Sequence, residues 1–173
     1  ATVHLPERPT DVEWYHASHG IVVAWSSSGG GRSVMKVHPP TMSSAHLAAC
    51  AAVQSTLAGA GFPCAVPLVG PRPIAATHAT VETRLEDPGA AVERDALANA
   101  TALVRLVRLA DGADRSGLVR IAAGDVRAST GSALLDKLSA AAASAVAADR
   151  SVPRIGHLDW SARNVRWDRH GVR

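Results

Sequence analysis

The sequence predicts an α+β protein: an antiparallel sheet with one helix in the first half, and a partial helical region in the second. Three observations carry this. Short β-rich runs separated by turn residues occupy positions 11 to 38. A single helical pattern, Ser43 to Ala58, follows them and is bounded by serines and glycines. From Ala91 onward, two Ala- and Leu-rich stretches carry helical spacing.

Asp11 to Ala17 and Gly20 to Ser26 read as two strands joined by a His19-Gly20 turn. Ile21-Val22-Val23-Ala24-Trp25 has the β-branched and aromatic content that suits a pleated, half-buried surface. The Ser/Gly tip from Ser26 to Gly31 leads to a third strand, Ser33 to His38, which Pro39-Pro40 ends. Ser43 or Ser44 is placed to cap the first helix, and Gly59 and Gly61 to end it. Phe62 to Val69 reads as a Pro-bounded strand or extended link. Ile74 to Ala76 and Thr77 to Leu85 read as further strands, ended by Asp87-Pro88-Gly89.

Ala91 to Ala110 is a predicted helix whose apolar face is Leu97, Ala100, Val104 and Val107, widened by Leu103 and Leu106. Arg105 and Arg108 are expected on its solvated side. Asp114 to Thr130 is poorly patterned, with Leu118 to Ala122 a candidate short strand. Gly131 to Ala148 is the next predicted helix, capped by Thr130, with Leu134, Leu135, Leu138, Ala142 and Val146 as its buried stripe. These elements divide the chain at about residue 85: residues 1–85 hold the sheet and its helix, and residues 86–173 the helical part.

Composition limits the function classes. Hydrophobic residues make up 47% and charged residues 19% of 173 residues, which fits a folded core rather than a disordered chain. The net charge of +3 is scattered, without a basic block, so a nucleic-acid partner is not expected. Cys50 and Cys64 lack C-x-x-C spacing, and reduced thiols are expected. His16 and His19 are three apart but fall in a strand and turn without further ligands, which argues against zinc. The polar N-terminus lacks an apolar signal core, and the Leu138 to Ala148 run is too short to span a bilayer. A cytoplasmic protein without a membrane partner is the expectation.

Two features carry chemistry. Lys36 lies among Val34, Met35 and Val37, and burying an unpaired ammonium costs several kcal/mol. A phosphate partner would relieve that cost; the alternative is a solvent-facing lysine on an edge strand. The second feature is His157-Leu158-Asp159-Trp160-Ser161-Ala162-Arg163-Asn164, an H-x-D-x-x-x-x-N pattern. In phosphoryl transfer, one carboxylate orients the attacking hydroxyl and accepts its proton. A neutral oxygen ligand meets the magnesium that bridges the nucleotide phosphates. Asp159 fits the first role and Asn164 the second, with His157 bracing the loop. Asn164 to Asp168 alternates as a half-buried strand does, and Asp168 to Gly171 reads as a turn.

The segment resembles the catalytic loop of the aminoglycoside phosphotransferase family, relatives of choline kinases and of protein kinases. Leu158 stands where that family usually has glycine, and Trp160-Ser161-Ala162 replaces a polar, Gly-rich middle. The resemblance implies a protein-kinase-like fold, with residues 1–85 as the nucleotide-binding N-lobe and residues 86–173 as part of a helical C-lobe. It implies ATP, or another nucleoside triphosphate, with Mg2+, and a small-molecule hydroxyl substrate. Lys36 becomes the lysine that grips the α- and β-phosphates, and Thr83 to Leu85 the hinge whose backbone meets adenine, so Thr83 and Leu85 are nucleotide contacts by resemblance.

Two departures qualify the resemblance. The family's helix carries a Glu that pairs with the strand lysine, whereas no acidic residue occurs between Thr41 and Pro63. The family's second metal-binding Asp and its later helices would lie after Arg173. The chain is therefore expected to be the front part of a family domain, with apolar helix faces left for self-association. The alternative is a truncated, non-catalytic nucleotide-binding or interaction module, a pseudokinase.

Overall fold

The computed structural model describes residues 5, 7–17, 20–85, 96–119, 132–148, 155, 167–168 and 171–172. The protein is α+β. Five strands form one antiparallel sheet: β1 (Pro9–Ala17), β2 (Ile21–Ser27), β3 (Arg32–Val37), β4 (Pro67–Ile74) and β5 (Thr77–Thr83), in the order β1-β2-β3-β5-β4. Helix α1 (Ser44–Gly59) is inserted between β3 and β4. The β2–β3 turn is closed by Gly30 N–H to Ser27 O (2.9 Å) and Ser27 N–H to Gly31 O (2.8 Å). Gly30 has φ +80°, the left-handed conformation that a three-residue hairpin loop requires.

β4 differs from the sequence expectation. The sequence suggests a Pro-bounded strand or extended link over Phe62 to Val69 and a separate short strand at Ile74 to Ala76; a single strand runs Pro67–Ile74, and Ala75-Ala76 is its turn. Pro67, Pro71 and Pro73 are tolerated because β4 is an edge strand that pairs only with β5. Pro71 falls where the register shifts between Val69 and Arg72, so its missing N–H breaks no regular ladder.

α1 is closed at both ends as its sequence indicates. Ser43 Oγ accepts the N–H of His46 at 3.2 Å, which satisfies one free donor of the first turn. At the other end Phe62 N–H reaches Leu57 O and Gly61 N–H reaches Ala58 O, with Gly61 at φ +73°. These two bonds are a Schellman closure, and its usual apolar contact is present. Phe62 and Leu57 share a buried cluster with Val53, Leu106, Ala110 and Ile155.

Helix α2 (Ala96–Ala110) contributes Leu106 and Ala110 to that cluster and also buries Ala102. The face expected to be buried is displaced: Leu97 (75%) and Val104 (48%) are exposed. Ala102, Leu106 and Ala110, four residues apart, form the buried stripe, whereas Leu97 and Val104 lie on the side of the helix that also carries the exposed Thr101 and Arg108. Arg105 lies over the Phe62 ring at 5.7 Å and donates to Gly61 O at 2.9 Å, which ties α2 to the α1 closure.

The backbone groups into two compact units. One compact unit is Ala1–Leu118 with Ile155–Arg173, and the other is Val119–Arg154. The second unit contains α3 (Ala133–Ala148). Leu134 and Leu138, expected in its buried stripe, are exposed, whereas Ala143 is buried. In the first unit, β6 (Trp167–Asp168) pairs antiparallel with β7 (Gly171–Val172), the small hairpin expected near the end of the sequence. Thr130 and most of the stretch from Leu118 to Ala122 lie outside the described residues.

Candidate functional site

Lys36 lies on β3, the middle strand of the sheet, paired with Val22 on β2 and Thr80 on β5. The edge-strand alternative therefore does not hold. Its ammonium enters a recess of about 140 Å3 between the sheet and α1, lined by His38, Cys50, Gln54, Thr80 and Glu82 among others.

Lys36 Nζ is 2.5 Å from Glu82 Oε1. Glu82 stands opposite Val34, two positions along from the Lys36 partner Thr80. It is thus the diagonal neighbour on the same face, a separation that two long side chains can bridge. The second carboxylate oxygen, Oε2, accepts from Gln54 Nε2 of α1 at 3.2 Å. Lys36, Glu82 and Gln54 thereby link β3, β5 and α1. Glu82 is the more enclosed of the ion pair, with its side chain 14% exposed against 42% for Lys36.

Sequence reasoning missed Glu82 and Gln54. The lysine's carboxylate does not come from the helix, where no acid exists, but from β5. Their signals were the alternation of Thr80 and Glu82 on one strand face and the polar Gln54 next to Val53 in α1.

His38 closes one end of the recess. Its Nε2 is 2.9 Å from Thr80 Oγ1, its N–H donates to His78 O at 2.9 Å, and its carbonyl accepts from Thr77 Oγ1. Burial, and next the Lys36 ammonium, push its pKa below the usual histidine value. Burial also raises both thiols, Cys50 and Cys64, so neither is set up as a thiolate nucleophile.

A second charged group gathers around Glu13 of β1. It accepts from Arg32 Nε at 2.8 Å, from Ser26 Oγ at 3.0 Å and from Arg84. Arg84 also lies over the Trp14 ring at 5.9 Å. This cluster ties β1 to the start of β3 and to the chain leaving β5. Next to it, Thr83 N–H donates to Val66 O at 2.9 Å and Thr83 Oγ1 accepts from Val66 N–H at 2.8 Å. The Thr83 N–H is therefore already used by the protein; Leu85, 41% exposed, ends this described segment.

His157, Asp159 and Asn164 lie outside the described residues. An open groove of about 440 Å3 along α2, lined by Leu97, Val104 and Arg108 among others, is mainly apolar and brings together no acid and base. Among the described residues no three His, Cys, Asp or Glu side chains form a metal-binding group. No described helix is long and apolar enough to cross a membrane. No family model, no curated protein and no solved structure matches this chain.

Proposed function

We propose that this protein is an ATP-dependent phosphotransferase acting on a hydroxyl of a small molecule, of the aminoglycoside phosphotransferase type and cytoplasmic. The observation that carries the reading is Lys36: a lysine on the middle strand, at a recess under a helix, held by a carboxylate on the adjacent strand. An ammonium has three N–H donors, and Glu82 engages one side of it. Donors remain for a phosphate oxygen. The recess suits a phosphate group better than a whole nucleotide, whose base would lie outside it.

In this reading ATP supplies the phosphoryl group, and Mg2+ offsets the charge on its phosphates. Lys36 holds the α- and β-phosphates. Asp159 orients the acceptor hydroxyl and takes its proton, His157 braces the loop, and Asn164 is the metal ligand. The backbone from Thr83 to Leu85 meets the base, with the Thr83 N–H excluded because Val66 occupies it. The exposed leucines of α2 and α3 support self-association.

The kinase-like sheet-and-helix N-lobe is part of the proposal; the five-stranded sheet with one helix after the lysine strand supports it. The test is a steady-state assay of phosphate transfer from MgATP to a panel of amino sugars and amino alcohols. Asp159→Asn should abolish turnover with little change in nucleotide affinity, because the base acts on the acceptor. Unchanged turnover in that variant would remove Asp159 from the mechanism.

One observation favours a second reading, a non-catalytic nucleotide-binding module. α1 carries Gln54, not an acid, opposite the lysine pair. In that case the protein binds MgATP and no acceptor is phosphorylated.

A further inference from the structure

The ion pair around Lys36 joins two strands of one sheet, and this has a consequence for what controls the lysine. β3 and β5 are hydrogen-bonded neighbours in register from Ser33↔Thr83 to Val37↔Ala79. Their side chains on one face keep a fixed spacing for as long as the ladder holds. A carboxylate supplied by a helix would leave with that helix if it shifted. Here α1 contributes only an amide: Gln54 donates one neutral hydrogen bond at 3.2 Å to Glu82 Oε2. Glu82 meets Lys36 through its other oxygen, at 2.5 Å.

We infer that Glu82 is the positioning residue for Lys36 and that the sheet alone sets the lysine, with Gln54 tethering α1 to an ion pair that does not depend on it. The inference deepens the proposed function, since it rests on Lys36 as the phosphate-holding group. Under it, displacement of α1 does not release the lysine. A switch that works by moving this helix is therefore absent from the site, and the grip on phosphate is built in.

The energetic order follows from the contacts. A charge-assisted bond is about twice as strong as a neutral one. The Gln54 bond is a neutral-donor contact at 3.2 Å, whereas the Lys36 contact joins two opposite charges at 2.5 Å.

The chain has two lysines, Lys36 and Lys137, which makes the test direct. The full chain is treated with an amine-reactive acylating ester, and modification of each lysine is followed by mass spectrometry. Lys137, exposed on α3, serves as the internal reference. Glu82→Gln is expected to raise the relative labelling rate of Lys36 by about fivefold, the scale of one partly exposed ion pair. Gln54→Ala is expected to leave it within about twofold. A rise with Gln54→Ala equal to that with Glu82→Gln overturns the inference, as does no rise with Glu82→Gln. If Glu82→Gln does not fold, Glu82→Asp carries the test. The shortened carboxylate should raise Lys36 labelling, and an unchanged rate overturns the inference.

A parallel arm adds MgATP to the unmutated chain. Failure of MgATP to protect Lys36 counts against the proposed function alone, because the variant series does not depend on nucleotide.

Discussion

Lys36 on β3 and Glu82 on β5 form an ion pair at 2.5 Å in which the acid is the more enclosed partner. This asymmetry makes the two halves of the pair unequal in energy. Without Lys36, the carboxylate stays in an enclosed site with only Gln54 to compensate it. Without Glu82, the lysine turns to water, since its side chain is 42% exposed. Lys36→Met should therefore destabilise the fold by about 1–2 kcal/mol, and Glu82→Gln by less. Urea denaturation of both variants checks the order; equal costs would mean that the carboxylate is not enclosed in solution.

Two left-handed residues give opposite expectations. Gly61 has φ +73° at the α1 closure, and nothing lies within 4 Å of where a Cβ would stand. The cost of Gly61→Ala is then conformational, about 1 kcal/mol, and not steric. Ala75 has φ +49° in the β4–β5 turn. Ala75→Gly should relieve that strain and stabilise the protein by up to about 1 kcal/mol. Thermal unfolding of the two variants should shift the midpoint in opposite directions.

His38 gives a pH dependence. Its folded pKa is depressed, first by burial and then by Lys36. The unfolded chain, near the ordinary value of 6.5, therefore binds the proton more readily than the folded one. Stability should rise with pH up to and through that value and fall as pH drops below it. His38→Gln removes this contribution while leaving an amide near Thr80. The loss in stability between pH 7 and 5.5 should be smaller in the variant, as measured by chemical denaturation at each pH. The same slope in both proteins would assign the effect to other groups.

The core under α1 should respond as a packed interior. Leu57 is 6% exposed and shares its cluster with Phe62 and Leu106. Leu57→Ala should cost about 2–5 kcal/mol, depending on how far the cavity collapses. Leu97→Ala, at an exposed position of α2, should change stability by less than about 0.5 kcal/mol. Comparable losses at both positions would contradict the displaced apolar face of that helix.

The parts of the fold legible in the sequence are those governed by local chemistry. Strands β1 to β3 and both caps of α1 follow from β-branched runs, Ser43 and Gly61, each acting on its own neighbours. β4 was harder to read, because Gly70-Pro71-Arg72-Pro73 looks like a loop until its edge position is known. The buried faces of α2 and α3 were displaced for a related reason. Large Leu and Val side chains dominate a helical pattern, whereas the residues that turn inward include small ones, Ala102, Ala110 and Ala143. At the site, Lys36 stood out because a lysine among valines is unusual. Its partner did not, since Glu82 reaches it through the pairing of strands separated by a whole helix, and no local pattern encodes that register.

The central claim is that Lys36 holds nucleotide phosphate. Calorimetric titration of MgATP into the full chain and into Lys36→Ala tests it most directly. The account predicts binding by the unmutated chain and affinity at least about tenfold weaker in the variant, since a charge-assisted contact to phosphate is worth roughly 1.5–3 kcal/mol. A folded chain that takes up no MgATP, or a Lys36→Ala variant that binds it equally well, would contradict the account.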